Sequence, residues 1–497
     1  MAGPSIGAEL RRRAAHIEDQ IDLLQSHIAT LQAEGKAVQE QLAAIVYPIL
    51  TLPNDITSEI FLQYSDDYPT TSCSPLILAR VCSSWRQVAL STHGIWAHFA
   101  CGRRFSCSPA YAHHRDPFVP LSGRLAFWIS RAGKLPLHIR IKLPGAELPE
   151  CTKILEILGA YAEQWGSLEI ISDGPILFPL QIQGPLPCLT DLKLWTHSPF
   201  YGATMFPTLH DASLLRQVHL WNIDLNNYET VLPWSQITTL HLDSIDLAQA
   251  LDILSQTENL ETLVSHLDVD PDEPITSPPH ILARLHTLTV GFADSCTIFP
   301  HITLPVLRKL QLSSPTEDSA LEIESLIGRS SCSPTTLILA ECKDTSATTA
   351  CLSVISVIPT IQKLEVAACA FKSTALAEFF DRIHDDPSFL PALTSLDINN
   401  CETRIELSPL VRMLKKRREI GGVTAQLTSF VISFEQEWYD DYYSEMDVKK
   451  LNSTMQRAID KLDELRAGGL KLDMRSSFKW FHEFVDSKVI EEISAVS

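Results

Sequence analysis

The side chains of this sequence with the chemistry to bind a metal ion or act as a nucleophile are led by 12 cysteines and 17 histidines. Their nearest approach to a cluster is Cys101, Cys107, His113 and His114, whose spacing matches no standard zinc site. No CxxC pair is present, and neither are the phosphate-binding GxGxxG and GxxxxGK[ST] motifs or the zinc-protease HExxH motif. The sequence therefore predicts no catalytic residue, no metal site and no cofactor.

The charge and the cysteine pattern limit the partners and the compartment. The net charge is −20, which repels a phosphate backbone, so we expect no nucleic-acid partner. Residues 1–20 are charged and lack the apolar core of a signal peptide. No apolar run approaches the roughly 20 residues that span a bilayer, so we expect no membrane partner. The scattered cysteines are then reduced thiols of a cytoplasmic or nuclear protein.

Residues 1–46 carry the pattern of a coiled-coil-like helix. Apolar residues recur there in steps of four and three, the coiled-coil period, and only Gly35 interrupts the seam. The seam residues are Ile17, Ile21, Leu24, Ile28, Leu31, Val38, Leu42 and Ile45. A lone helix would expose this narrow stripe to water, so it needs a partner. Two partners stay open: a second copy of the chain, through self-association, or the chain's own later domains.

Residues 47–100 contain two further helical segments. Pro53 suits the first turn of the first helix, where its missing N–H costs nothing. After an acidic loop rich in Ser and Thr, residues 76–89 are predicted to form the second helix. A domain of this size cannot bury two tryptophans, several isoleucines and a Leu-Pro pair internally, so the surplus apolar area predicts a docking surface.

The same stretch resembles the F-box motif. That family reads Leu-Pro, an Ile-Phe-like pair, Val-Cys-x-x-Trp-Arg-x-(Ile/Val)-Ala and a closing Leu-Trp. The matching residues here are Leu52-Pro53, Ile60-Phe61, Val81-Cys82, Trp85-Arg86, Val88-Ala89 and Ile95-Trp96. The whole is similar to the fungal type, in which a heptad helix leads straight into the Leu-Pro opening. Asp55 stands where the family often has Glu, and His93-Gly94 replaces the usual proline, but neither departure removes an apolar anchor.

The resemblance implies a small all-α domain that docks on the adaptor subunit of a cullin-type, SCF-like E3 ubiquitin ligase. It would make this chain the substrate-recognition subunit of that ligase, not an enzyme. The predicted adaptor-binding residues are Leu52, Pro53, Ile56, Ile60, Phe61, Val81, Cys82, Trp85, Val88 and Trp96. Two alternatives stay open: an ordinary helical cap on the following residues, or a ligase-independent repeat scaffold or inhibitor protein.

Residues 161–434 repeat the pattern apolar-x-x-apolar-x-apolar. The middle apolar residue moves from Leu168 to Phe430 in ten steps, a mean period of about 26 residues, which is typical of leucine-rich repeats. Segments between the patterns have helical character, at 247–254, 320–327, 347–358, 374–383 and 407–417. Cys342, Cys369 and Cys401 fall at the ninth repeat position, where the side chain is buried against the loop backbone, so we expect them to be unreactive.

The sequence thus predicts an α/β protein: a coiled-coil-like helix, a small F-box domain, and a curved leucine-rich-repeat solenoid with strands inside and helices outside. Residues 101–160 are assigned as a connector and repeat cap, and residues 435–497 as an acidic loop and helical cap. F-box proteins often carry such repeat arrays, and the array would bind an unknown protein target.

Strand alternation locates a candidate target-binding site. Within a repeat the fourth and sixth residues point into the core, so the third, fifth and seventh point to the concave face. The clustered aromatic and basic residues at these positions are Lys193, Trp195, His219, Trp221 and His241. Exposed aromatic residues beside histidines resemble an interaction hot spot. The alternative is that the segment before residue 165 folds over these tryptophans and buries them.

Overall fold

The computed structural model describes residues 6–43, 51–67, 74–101, 121–143, 149–172, 182, 184–196, 209, 211–223, 232–268, 278–291, 295–341, 345–367, 373–401, 407–419, 424–434, 460–462 and 464–475. Within these ranges the fold is mixed α/β, with a long N-terminal helix and a large parallel sheet. The chain divides into two compact units, residues 1–96 and 97–497. Among the described residues, no helix combines the length and the apolar composition that a bilayer span requires.

The helices are α1 (Ile6–Ala43), α2 (Asn54–Asp67), α3 (Ser74–Val81), α4 (Ser83–Ser91), α5 (Leu121–Ala132), α6 (Pro149–Ala160), α7 (Leu247–Gln256), α8 (Ser319–Ser330), α9 (Thr345–Ser356), α10 (Ser373–Asp385) and α11 (Leu407–Lys416). The strands are β1 (His98–Cys101), β2 (Leu137–Leu143), β3 (Trp165–Ser172), β4 (Asp191–Thr196), β5 (Gln217–Trp221), β6 (Thr239–Asp246), β7 (Thr262–Asp268), β8 (His280–Ile281), β9 (Thr287–Val290), β10 (Ile302–Thr303), β11 (Lys309–Ser313), β12 (Thr336–Ala340), β13 (Lys363–Ala367), β14 (Ser395–Cys401), β15 (Ser429–Phe434) and β16 (Lys471–Arg475).

The first unit is helical, and one of its helices differs from the prediction. Residues 76–89 were expected to form one helix, but the chain breaks at Cys82, which separates α3 from α4. Cys82 adopts an extended backbone, φ −156° and ψ 174°, and its Sγ accepts a hydrogen bond from the N–H of Trp85. Arg86 then donates to the carbonyl of Ala79 at 2.9 Å and ties the two helices together. The break arises because the thiol caps an N-terminus that would otherwise leave its N–H groups unpaired.

The second unit is built on a 14-stranded sheet. Its order is β1-β2-β3-β4-β5-β6-β7-β9-β11-β12-β13-β14-β15-β16, and every neighbouring pair is parallel. Strands β8 and β10 form a separate two-stranded parallel sheet. Each predicted repeat supplies one strand of the large sheet, so chain order is also spatial order. The helices or short 3₁₀ turns between strands allow parallel neighbours to be joined.

The core of the sheet is a ladder of the middle apolar residues of the repeats. The paired positions are Leu168, Leu192, Val218, Leu240, Leu263, Leu288, Leu310, Leu337, Leu364, Leu396 and Phe430. None of these side chains is more than 1 % exposed. Burial of each such side chain contributes about 2 kcal/mol, and a shift of one residue would turn the whole ladder toward water. The ladder therefore fixes which side chains lie on the opposite face.

The sheet extends beyond the predicted repeat range of 161–434. At its start, β1 and β2 lie within residues assigned to the F-box domain and to the connector and cap. At its end, β16 pairs with β15 inside the predicted C-terminal cap. The boundary between the two units lies after Trp96, so the helical unit is shorter than the predicted range 47–100. Strand pairing sets these ends, because a lone strand has no partner for its backbone groups.

The five segments predicted as helices between strands are helical, as α7 to α11. Residues 435–459, the first part of the predicted acidic loop and helical cap (435–497), lie outside the described residues. So do the side chains of Cys342, Cys369 and Cys401, and the expectation that these thiols are unreactive stays a prediction. Of the possible Cys–His cluster, Cys101 ends β1, and Cys107, His113 and His114 lie outside the described residues.

Candidate functional site

The first candidate surface is the set of exposed apolar residues on and beside α2 and α3, which we call the α2–α3 surface. Its exposed apolar residues and their exposed fractions are Leu52 36 %, Ile56 51 %, Ile60 41 %, Leu76 41 %, Ile77 49 % and Val81 59 %. Ile56 and Ile60 are one helical turn apart, so they share one face of α2. Together with Glu59, Gln63 and Tyr64 they line a shallow open groove of about 400 Å³. The groove is apolar with a polar rim, as protein interfaces are.

The ten predicted adaptor-binding residues divide into two groups. Phe61, Val88 and Trp96 are buried and hold the unit together. The Trp96 indole N–H donates to the carbonyl of Ala89 at 2.7 Å, and Phe61 packs edge-to-face on the half-buried Trp85 at 5.0 Å between ring centroids. Cys82 caps α4, as described above. The exposed members are Leu52, Pro53, Ile56, Ile60 and Val81. The exposed group offers the most surface to a partner, whereas Trp85 and Cys82 are half-buried.

Pro53 also has a local structural role. Its carbonyl accepts the backbone N–H of Thr57 at 3.0 Å and the Thr57 hydroxyl at 3.2 Å. The proline itself needs no acceptor because it has no N–H. This arrangement fixes the start of α2, and so the direction in which Leu52 and Ile56 project.

The second candidate surface lies on strands β4 to β7, on the sheet face opposite the ladder of middle apolar residues. We call it the Trp–His patch and define it as Lys193, Trp195, His219, Trp221, His241, Asp243 and His266. Strand register places Lys193 beside His219, and His219 beside His241. One step along the strands it places Trp195 beside Trp221, Trp221 beside Asp243, and Asp243 beside His266. The five residues predicted from strand alternation therefore lie together.

The rings of the patch form a continuous row of tilted ring pairs. The centroid distances are 4.4 Å between Trp195 and Trp221, 5.0 Å between Trp195 and His219, and 4.7 Å between His219 and His241. Trp221 is 36 % exposed, while Trp195 and both histidines are half-buried. Tilted ring pairs at such distances stabilise one another beyond their buried area. The row is thus a rigid aromatic platform with one open edge at Trp221.

Asp243 anchors the imidazoles of the patch. The side chain is only 7 % exposed, yet it lies between two rings, with His219 Nε2 at 2.7 Å from one carboxylate oxygen and His266 Nδ1 bonded to the other. Burial on its own would raise the pKa of Asp243. The hydrogen bonds from His219 and His266, and their positive charge when protonated, outweigh burial and lower that pKa to about 2. The patch therefore carries a carboxylate that stays ionised far below neutral pH.

His241 has the opposite electrostatic setting. Burial, with the charges of His219, Lys193 and His266 around it, disfavours the imidazolium form, and only Asp243 favours it. The result lowers the pKa of His241 from 6.5 to about 4. The ring is therefore neutral at physiological pH and offers one N–H donor and one acceptor. A neutral imidazole next to an ionised carboxylate gives the patch directional hydrogen-bonding groups with little net charge.

Gly291, directly after β9, gives His266 its position. A Cβ atom at residue 291 would lie 1.8 Å from Cδ2 of the His266 ring, far inside contact distance. The glycine is buried, and the imidazole occupies the space that a side chain would need. Any larger residue would push His266 away from Asp243. The glycine is thus required here by the close approach of a ring, not by its backbone angles.

Asp243 and His266 are members of the patch that the sequence reasoning left out. Both occupy the seventh repeat position, which also holds Trp195 and Trp221. The alternation rule therefore contained the signal for both residues. The contact between Asp243 and His219 could not be predicted in this way. It joins the seventh position of β6 to the fifth position of β5, and it depends on the side-chain rotamers.

The patch has the composition of a binding surface. Indole faces supply apolar area, and imidazole and ammonium groups supply donors, a combination typical of interface hot spots. Within the described ranges, no group of three or more His, Cys, Asp or Glu side chains is arranged to hold a metal ion. Comparison with known proteins adds no assignment: no protein-family model and no curated protein sequence matches the chain.

Proposed function

We propose that this chain is the substrate-recognition subunit of a cullin-type, SCF-like E3 ubiquitin ligase. The observation that carries the proposal is the α2–α3 surface, where a helical unit resembling an F-box leaves three of its matching apolar residues exposed to water. Leu52, Ile60 and Val81 belong to the F-box-like pattern, and all three are at least 36 % exposed. We assign this surface to the adaptor subunit of the ligase.

The energetics favour a protein partner on this surface. Full burial of an entirely exposed Leu, Ile or Val side chain is worth about 1.5–3 kcal/mol. The six residues are 36–59 % exposed, so each would contribute about half of that. The buried residues Phe61, Val88 and Trp96 keep the helices in place while the exposed ones remain available. A preformed apolar face loses little entropy on docking, which is how a small domain achieves stable binding.

For the second unit we propose a leucine-rich-repeat solenoid, curved so that the Trp–His patch lies on its concave face. The support is the agreement of three features: a repeat of about 26 residues, one parallel strand per repeat, and strand neighbours in chain order. The patch would bind the target protein, with the indoles buried around a short peptide and the imidazoles hydrogen-bonded to its backbone. The residues assigned to the target are Lys193, Trp195, His219, Trp221 and His241.

The proposed mechanism is proximity. The helical unit binds the adaptor, and the sheet holds the target near the ubiquitin-conjugating enzyme that the ligase recruits. Tethering converts an encounter between two proteins into an intramolecular reaction at high effective concentration. The chain then needs no catalytic residue of its own.

Binding to the purified adaptor subunit tests the proposal. We expect wild-type chain to bind and the double variant Ile56→Asp/Ile60→Asp to lose at least about 100-fold in affinity, because two charges would enter an apolar contact. Both isoleucines are exposed, so the variant should fold. The matched control is Leu321→Asp, which places the same charge at a helical leucine that is 68 % exposed in the other unit.

Full adaptor binding by the folded double variant would show that the α2–α3 surface is not the docking site. Absence of adaptor binding by the wild-type chain would reject the ligase assignment altogether. That result would favour the alternative, in which the chain is a ligase-independent repeat scaffold or inhibitor protein.

A further inference from the structure

Helix α1 presents an apolar seam along its length. The 38-residue helix is about 57 Å long, and every described side chain between residues 9 and 41 is exposed. The seam residues with described side chains and their exposed fractions are Ile17 49 %, Ile21 45 %, Leu24 59 %, Ile28 54 %, Leu31 55 % and Val38 54 %. A seam this long and regular is built for contact with another helix.

The residue types at the seam indicate how many helices pack together. The steps of four and three place Ile21 and Ile28 at heptad position a, and Leu24 and Leu31 at position d. A β-branched residue at a with leucine at d favours two parallel strands, because each shape fits the packing of its own layer in a dimer. Isoleucine at both positions would favour three or more strands, and that pattern does not occur in these two central heptads.

We propose that α1 forms a parallel, in-register coiled coil with α1 of a second copy of this chain. In this register equal residues face each other, so Gly35 meets Gly35 and the weak contact is confined to a single layer. An antiparallel pair would set each Gly35 against a large residue of the other helix and spoil two layers. The central layers of Ile21, Leu24, Ile28 and Leu31 remain complete in the parallel pair.

The charges that flank the seam fit the same arrangement. In a parallel dimer position g of one helix faces position e of the next heptad in its partner. Arg13 at g then faces Glu18 at e, and symmetry makes this ion pair twice. The remaining g–e pairs are Gln20 with Gln25, His27 with Gln32, and Glu34 with Gln39. No pair sets like charges against each other. Within one helix Arg13 and Glu18 are five residues apart and do not face each other.

Sedimentation equilibrium of the full chain, from 1 to 100 µM (about the range in which a coiled coil of this length dissociates), tests the proposal. We expect wild-type protein to reach twice the chain mass. The variant Leu24→Glu/Ile28→Glu should remain at the mass of one chain across the range. Both residues are exposed, so the thermal unfolding of the remainder of the chain, followed by far-UV circular dichroism, should match that of wild type. A wild-type chain that stays monomeric at the highest concentration would overturn the proposal.

A charge swap tests the parallel register. We expect Arg13→Glu to raise the dimer dissociation constant by about three- to tenfold, because two ion pairs become two repulsions. The double variant Arg13→Glu/Glu18→Arg should restore the dissociation constant to within about twofold, since it re-forms both pairs in the reverse sense. If Arg13→Glu has no effect, or if the double variant is no better than the single one, the parallel register is wrong. The control Lys36→Glu changes a charge outside these pairs. It disrupts only the exposed Lys36–Glu40 pair within one helix, so it should change the dissociation constant by less than about twofold.

Discussion

The neutral imidazole of His241 should make the stability of the protein depend on pH between 4 and 6.5. In the fold its pKa is about 4, against 6.5 ordinarily, because of burial and of the charges of His219 and Lys193. Between these values the unfolded state binds more protons than the folded state, so the free energy of unfolding rises with pH. The stabilisation is complete above pH 6.5 and is lost as the pH falls to about 4.

The size of the effect follows from the shift. Each pKa unit corresponds to about 1.4 kcal/mol, so a shift from 6.5 to about 4 would be about 3 kcal/mol at full weight. The ring lies on the sheet face and is half-buried, so solvent screening reduces this to about 1–2 kcal/mol. Glutamine is a neutral substitute that keeps a donor and an acceptor but does not titrate. The variant His241→Gln should therefore lack this component of the pH dependence.

Urea unfolding followed by far-UV circular dichroism, at pH 7.0, 5.5 and 4.5, measures the difference. We expect the stability gap between wild type and His241→Gln to shrink by about 1–2 kcal/mol as the pH falls from 7.0 to 4.5. The control is His286→Gln, which makes the same substitution at a half-buried histidine of the same unit outside the patch. Equal slopes for wild type and His241→Gln would refute the assignment of a buried, neutral imidazole.

Three further predictions follow from the described contacts. Replacing Trp195 and Trp221 with Ala should abolish target capture while adaptor binding stays unchanged; full capture by a folded double variant would move the target site elsewhere. Arg417 is 2 % exposed and donates to the carbonyls of Phe389 and Leu390. Arg417→Ala should therefore lower the free energy of unfolding in urea by about 3 kcal/mol, whereas the control Lys416→Ala, at an exposed position, should change it very little. Gly291→Ala should lower the free energy of unfolding by about 1–2 kcal/mol, because the new Cβ would displace the imidazole of His266. The control Gly328→Ala, whose Cβ would meet no atom within 4 Å, should not destabilise the protein. Similar melting temperatures for the two variants would contradict the close approach of His266 to Gly291.

The sequence predicted the elements that carry a strong period. The heptad pattern predicted α1, and the repeated apolar triplets predicted eleven strands of the sheet, because burial of one face leaves little freedom of register. The strands at the ends of the sheet were harder to predict from the sequence. In the last strand the first apolar position of the repeat is taken by Gly469, so the local pattern is incomplete and pairing with β15 makes β16 a strand. The break at Cys82 was also unforeseen, because a thiol is a rare helix cap.

The candidate surfaces were predictable to different degrees. Alternation with a period of two places Lys193 beside His219 and Trp195 beside Trp221 without any structure, since parallel register carries from one repeat to the next. The F-box-like pattern identified part of the α2–α3 surface but missed Leu76 and Ile77. It also did not separate exposed anchors such as Ile60 from core residues such as Phe61. That separation depends on how three short helices pack, which a one-dimensional pattern does not contain.

The position of the Trp–His patch within the sheet supports a binding role. The eleven strands of the repeats are stabilised by the same ladder of buried apolar residues, so the side chains on the opposite face are free to vary. On later strands the seventh repeat position holds small residues such as Ser313, Ala340 and Ala367. Only on β4 to β7 does it hold two tryptophans, a buried carboxylate and an imidazole. Burying Asp243 needs two histidine partners and a glycine to admit one of them, an arrangement that the ladder does not require for stability. The ladder alone therefore does not account for this arrangement, which is compatible with the proposed target site.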